Sequence, residues 1–198
     1  MLIENGPFSG LLKNHYGVLL ADPPWSFKAW SAKGTGRSAD NHYRTMKASE
    51  ICRMPVADLA TENSVLFLWA TWPTIMDAFS VIEAWGFTYK TCAFMWMKAH
   101  VNQIDMFRDD ADALMSNGYW TRSNSEPCLL ATRGKPKRLH ADVRQGIIEP
   151  RREHSRKPGI HARIERLVSG PYLELFARQS RPGWTVWGDE KTKFDGVK

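Results

Sequence analysis

Asp22-Pro23-Pro24-Trp25 stands directly behind the apolar run Tyr16-Gly17-Val18-Leu19-Leu20-Ala21, with no polar spacer between them. A run of that kind reads as a buried strand, so the acid falls at a strand end. Each residue alone has an ordinary structural use: an acid caps a helix, Pro-Pro stiffens a turn, and a Trp fills a core. Together they are harder to set aside, because at average residue frequencies the tetrapeptide arises by chance in roughly one chain in several thousand of this length. The chemistry that suits them is transfer of a group to a flat, weakly nucleophilic amine. The exocyclic amine of a nucleobase has its lone pair delocalised into the ring, so it needs an acceptor for its N–H and carbonyls that favour a tetrahedral nitrogen. Asp22 supplies a carboxylate, and Pro24 holds the turn so that the Pro23 carbonyl can point inward. Trp25 offers a stacking face for a base that is single-stranded or turned out of a duplex.

Such residues need a frame. Further strands are expected at Ser64–Ala70, Thr88–Met97, Pro127–Thr132, Tyr172–Ala177 and Trp184–Trp187. Ile75, Ala78, Phe79, Ile82 and Trp85 recur at helical spacing, with Pro73-Thr74 ahead and Gly86 as the stop signal. A second helix is expected over His161–Val168, and a short helical region over Thr45–Leu59, broken at Pro55. The stretch from Asp105 to Gly118 reads equally as loop or helix. Ser26–Asn41 reads as a polar loop, and its Lys33-Gly34-Thr35-Gly36-Arg37 is a weak phosphate-binding signal without a third glycine or a following helix. Strands alternating with helices predict a mainly parallel α/β sheet with ligands at the carboxyl ends of its strands. No repeat or linker divides the 198 residues, so a single domain over 1–198 with one core is expected.

Hydrophobic residues make up 43% and charged ones 24%, the profile of a folded globular chain rather than a disordered one. No signal peptide and no run of eighteen apolar residues is present, which argues against secretion and membrane spanning and for the cytoplasm. Cys52, Cys92 and Cys128 form no CxxC pair, and the six histidines, His100 among them, form no HExxH. No metal is predicted, and the thiols read as core residues. The net charge of +6 is concentrated: Arg133 to Lys157 holds nine Lys or Arg against three acids, and the rest of the chain balances. Such a run is either a solvated loop or a surface for a polyanion. On the second reading Lys135, Lys137, Arg138, Arg151, Arg152 and Arg156 are nucleic-acid-binding candidates.

The chain resembles the N6-adenine methyltransferases of the MT-A70 family, which use S-adenosylmethionine and include messenger RNA enzymes and bacterial and phage DNA enzymes. The likeness runs from about Gly17 to Glu190 and is carried first by Asp22-Pro23-Pro24-Trp25 and by His42-Tyr43-Arg44-Thr45-Met46. Leu66-Phe67-Leu68-Trp69, Trp96-Met97-Lys98, Glu126-Pro127-Cys128, Ser155-Arg156-Lys157-Pro158 and Glu174-Leu175-Phe176-Ala177-Arg178 follow in order. The resemblance implies an α/β, Rossmann-like class I methyltransferase sheet in circularly permuted form, with the catalytic motif before the cofactor-binding strand. It implies catalytic roles for Asp22, Pro23, Pro24 and Trp25. Contacts to S-adenosylmethionine are implied for Asp22, Lys157, Glu174, Phe176, Arg178, Asp189 and Glu190. The expected partner is DNA, with RNA, or a non-catalytic nucleic-acid-binding subunit role, as alternatives. Ala177 and Asp189 depart from the family pattern, which more often has Gly and, in the messenger RNA enzymes, Asn.

Overall fold

The computed structural model describes residues 1–26, 45–99, 120–150 and 157–196. The Lys33–Arg37 glycine loop, His42-Tyr43-Arg44, His100, the stretch 105–118 and Arg151, Arg152 and Arg156 lie outside those residues. Seven strands, β1 (Tyr16–Ala21), β2 (Ala60–Trp69), β3 (Thr88–Ala99), β4 (Ser125–Arg133), β5 (Gly146–Pro150), β6 (Tyr172–Leu175) and β7 (Trp184–Trp187), form one sheet in the order β5-β3-β4-β2-β1-β6-β7. Only β4 is reversed, pairing antiparallel with β2 and β3, while the other pairs are parallel. Among the described residues the helices are α1 (Ala48–Cys52), α2 (Ile75–Ala84) and α3 (His161–Leu167).

The expectation of one core is corrected to two apolar clusters. Side chains alternate across a strand, so Leu19, Ala21, Leu66, Leu68, Leu173 and Leu175 enter one cluster with Ile51 of α1 and Val81 and Ile82 of α2. Val18, Leu20, Val65, Phe67 and Trp69 enter the other with Ile164 of α3. Central strands covered on both sides have no polar face to show, which is why β1 and the Val65–Trp69 part of β2 read as apolar runs, while β2 begins earlier in the polar stretch Thr61-Glu62-Asn63. The Trp85 indole donates to the Ile51 carbonyl at 2.9 Å and ties the end of α2 to α1.

Strand β5 was hidden inside the basic segment. It is an edge strand of the sheet, with Ile147 buried and Ile148 exposed, and the charges around its two isoleucines mask the period of two. Cys128 is buried, whereas Cys52 and Cys92 are only partly so, and burial pushes all three thiols up. The described residues include no cluster of metal-ligating side chains and no helix long and apolar enough to cross a membrane.

Register places the site. Ala21 stands opposite Leu68 on one side and Leu175 on the other, and Leu175 stands opposite Trp187. The next residues along, Trp69, Asp22, Phe176 and Gly188, therefore leave the sheet at one level, its carboxyl end.

Candidate active site

Two prolines and a tight hydrogen bond hold the exit of β1. The Pro23 carbonyl accepts the Trp25 N–H at 2.8 Å, an i to i+2 turn that the fixed φ of Pro24 favours. The Pro24 carbonyl accepts the Met46 N–H at 2.8 Å, and Ser26 donates back to the Met46 carbonyl at 3.0 Å. One lone pair of the Pro23 carbonyl is thus used by the turn, and a second is left to meet an amine. Asp22 keeps 28% of its side-chain surface exposed.

A ladder of opposite charges runs from Asp22 across the sheet. Lys157 Nζ lies 3.6 Å from Asp22 Oδ1 and also donates to Glu126 Oε2, while Lys98 donates to Glu126 Oε1. Lys157 Nζ also sits 5.3 Å from the centre of the Trp69 ring, an arrangement that favours the cation. Lys98, Glu126 and Lys157 are all at least four-fifths buried. Burial pushes the Glu126 carboxyl up, but the ammonium groups of Lys157 and Lys98 outweigh it and hold it at about 2. For Asp22 burial prevails: its carboxyl is raised above the ordinary value against the pull of Lys157 and Arg178, with Glu126 and Glu174 adding to the rise. Two carboxylates a strand apart are therefore driven in opposite directions.

On the β6 side of Asp22 a cleft is lined by Lys157, His161, Glu174, Phe176, Arg178 and Arg181, among others. Glu174 Oε2 is 2.7 Å from His161 Nε2, and the other ring nitrogen of His161 is buried with no partner among the described residues. Phe176 has φ +60°, a left-handed conformation that is an outlier for a bulky side chain and costs on the order of 1–3 kcal/mol. It is held by the Ala177 N–H donating to the Trp187 carbonyl at 2.9 Å and by the close approach of Gly188. A Cβ on Gly188 would lie 2.9 Å from the Ala177 carbonyl oxygen, so only glycine lets β7 close on this turn.

Residues 16–190 match the MT-A70 family. The chain belongs to that family. It is 32% identical to the type II methyltransferase M.MunI of Mycoplasma sp, over 92% of this chain and 81% of the relative. It is 30% identical to an N(6)-adenosine-methyltransferase MT-A70-like protein of Arabidopsis thaliana, over 88% of this chain and 24% of that one. With the human N(6)-adenine-specific methyltransferase METTL4 it shares 27% identity, over 92% and 39% respectively. The sheet is thus the Rossmann-like sheet of an MT-A70 methyltransferase.

Within this MT-A70 frame Asp22, Lys157, Glu174, Phe176 and Arg178 line one cleft, whereas Asp189 and Glu190 lie past the end of β7 and Glu190 pairs with Lys193. One expectation is corrected. Trp25 presents no open stacking face: it is 7% exposed, packs in the cluster with Phe8 and Leu68, and donates its indole N–H to the Trp69 carbonyl at 3.0 Å. The nucleic-acid-binding candidates Lys135, Lys137 and Arg138 follow the amino-end exit of β4, because the reversed strand carries the chain away from Asp22. From the Trp69 and Cys128 pair to the Ser64 and Arg133 pair the ladder runs five residues, about 17 Å at strand rise. Lys135 and Lys137 there rim a separate cavity with Thr61, Asn63, Ser169 and Gly170. Sequence reasoning assigned no role to Glu126 or Lys98. The available signal was a lone acid heading the apolar run Pro127-Cys128-Leu129-Leu130, since in a reversed strand the first residue shares an end with its neighbours' last.

Proposed function

We propose that this chain methylates the exocyclic N6 amine of adenine in DNA, with S-adenosylmethionine as the donor, and that it works in the cytoplasm. The observation that carries the reading is Asp22, a carboxyl with a raised pKa lining a cleft whose side chains suit that cofactor. Lys157 and Arg178 offer cations to an amino-acid carboxylate, Glu174 offers an acceptor to ribose hydroxyls, and Phe176 offers an apolar face. Asp189 and Glu190 would serve the adenosine end from beyond β7. When bound, the donor supplies a methyl group on a sulfonium. The protein's part is positional: Asp22 accepts an amine N–H, the spare lone pair of Pro23 meets the same nitrogen, and Lys157, fixed by Glu126, holds the Asp22 carboxylate in place. Trp25 contributes by bracing the turn from the core. We read the order of the strands, β1 with its acid ahead of β6 and β7, as the circularly permuted arrangement.

DNA is favoured over RNA because the type II methyltransferase is matched over most of its own length and the N(6)-adenosine-methyltransferase-like protein over a quarter of its length. The complete charge ladder argues against a non-catalytic subunit. Incubation with labelled S-adenosylmethionine and separate pools of DNA and RNA, followed by nucleoside analysis, tests the reading. Label in N6-methyldeoxyadenosine is expected. Label in RNA alone moves the assignment to RNA, and no label in either overturns it.

A further inference from the structure

Trp25 is in the core, and the Trp69 and Phe176 rings line the cleft beside Asp22, but a more exposed aromatic ring stands three residues beyond Trp69. Trp72 follows β2 in the 3-10 turn Trp72–Thr74 and is 47% exposed. Exposed single aromatics are common, but this one is fixed. Its indole N–H donates to Ser125 Oγ at 3.1 Å, which settles the ring's orientation and satisfies its one polar group. The backbone beneath is pinned as well: Ala70 donates to the Pro127 carbonyl at 3.0 Å, Thr74 to the Thr71 carbonyl at 3.0 Å, and the two threonine hydroxyls meet at 3.0 Å. Ser125 is the neighbour of Glu126, so the tether of the indole and the charge ladder spring from the same two residues of β4. Trp72 follows β2 and is tethered to β4, whereas Glu174 belongs to β6 and Phe176 and Arg178 follow it, on the other side of β1 in the strand order. Asp22 is thus linked to the Trp72 ring through Lys157, Glu126 and the adjoining Ser125, with Met76, 73% exposed, one turn further along the chain.

We propose that Trp72 is a stacking platform for a nucleobase flanking the target adenine in a single-stranded or extruded segment of substrate. The inference rests on the nucleic-acid reading above, and it assigns the base next along the strand, since the target itself must reach Asp22. A pre-oriented ring loses little freedom when a base lands on it, and every base has a π face to offer. The contact therefore adds affinity with little choice of sequence.

The test is binding rather than turnover. Dissociation constants would be measured for wild type, Trp72→Ala and Trp72→Phe with single-stranded oligodeoxyadenylate and with an abasic oligomer of equal length. Expected is a loss of about 5- to 150-fold for Trp72→Ala on the base-bearing strand, the fold-change that corresponds to base stacking on an aromatic. Trp72→Phe should keep most of the affinity, and no variant should lose any on the abasic strand, which retains every phosphate. Affinity for S-adenosylmethionine and the thermal midpoint should stay at wild-type values. Equal binding of wild type and Trp72→Ala to oligodeoxyadenylate, or an equal loss on the abasic strand, overturns the proposal. Failure of the methylation reading shows instead as absent label in both nucleic-acid pools, a readout independent of these constants.

Discussion

The two ends of the sheet carry charge in opposite ways. At the carboxyl end Lys98, Glu126, Lys157 and Asp22 sit at 12%, 11%, 16% and 28% side-chain exposure, each within reach of an opposite charge. At the amino end Lys135, Lys137 and Arg138 stand in solvent, and the Asp142 and Arg166 pair is more than half exposed on both sides. Net charge is concentrated at the second end, perturbed protonation at the first. Charges that water can screen define a surface, whereas charges that water cannot reach must be held by partners, and that constraint is what tunes a carboxylate for chemistry. The excess of cations, the most visible electrostatic feature of the sequence, is thus a poor guide to where the perturbed carboxyls lie.

The comparison can be broken first at Asp22. Asp22→Asn should lower methyl transfer by roughly 10²- to 10⁴-fold, the span for removing a positioned proton acceptor. It should also raise the thermal midpoint. The folded state raises this carboxyl's pKa above the ordinary 3.8, so ionisation costs native stability once pH climbs past that value, and a neutral amide removes the cost. Loss of stability in this variant would show that Asp22 is structural.

Glu126 should respond with the opposite sign. Glu126→Leu leaves the Lys98 ammonium buried without its counter-charge and takes from Lys157 its nearer carboxylate, and should destabilise by about 3–5 kcal/mol in urea titration. In wild type the Glu126 contribution is fully present above its ordinary 4.5 and is lost as pH falls from there towards about 2. Glu126→Gln should flatten that acid limb of the stability profile, and an unchanged limb would show that the ladder does not hold the carboxyl down.

The amino end should be far quieter. If Lys135 and Lys137 each neutralised a phosphate, replacing both by Gln would flatten the slope of log affinity for duplex DNA against log salt by about 1.8. Their place at the far end of β4 predicts a change well under half of that, by titration at several salt concentrations. Smallest of all, Asp142→Asn should leave the thermal midpoint at its wild-type value, because an exposed pair is screened.

Much of the frame was legible because burial on both faces leaves an unbroken apolar run. Leu19, Leu20, Leu66 and Phe67 announce β1 and β2, and the spacing of Ile75, Ala78 and Ile82 announces α2. What stayed hidden was direction. Apolar period does not say which way a strand runs, so the reversal of β4 was invisible, and with it both the approach of Glu126 to Lys157 and the departure of Lys135 from the site. The role of Trp25 was hidden for another reason: an indole leaving a strand beside two prolines packs a core as readily as it stacks a base. Only the acceptor of its N–H, the Trp69 carbonyl, decides between them. Asp22 stood out most plainly as a candidate, since the acid directly abuts the apolar run of β1.

The pairing of β1 with β6 joins Val18 to Tyr172 and Leu20 to Glu174. About 150 residues separate the partners in the chain, so at ~5–20 residues per second a ribosome needs roughly 8 to 30 s to deliver the second after the first. Through that interval one edge of β1 has no neighbour, and the floor beneath Asp22 is half laid. A nascent chain therefore carries Asp22 long before its surroundings are complete, and it carries a bare apolar edge that invites pairing with the wrong partner. Chaperone dependence during synthesis, and insoluble product when translation stops short of Tyr172, are the cellular marks this topology should leave.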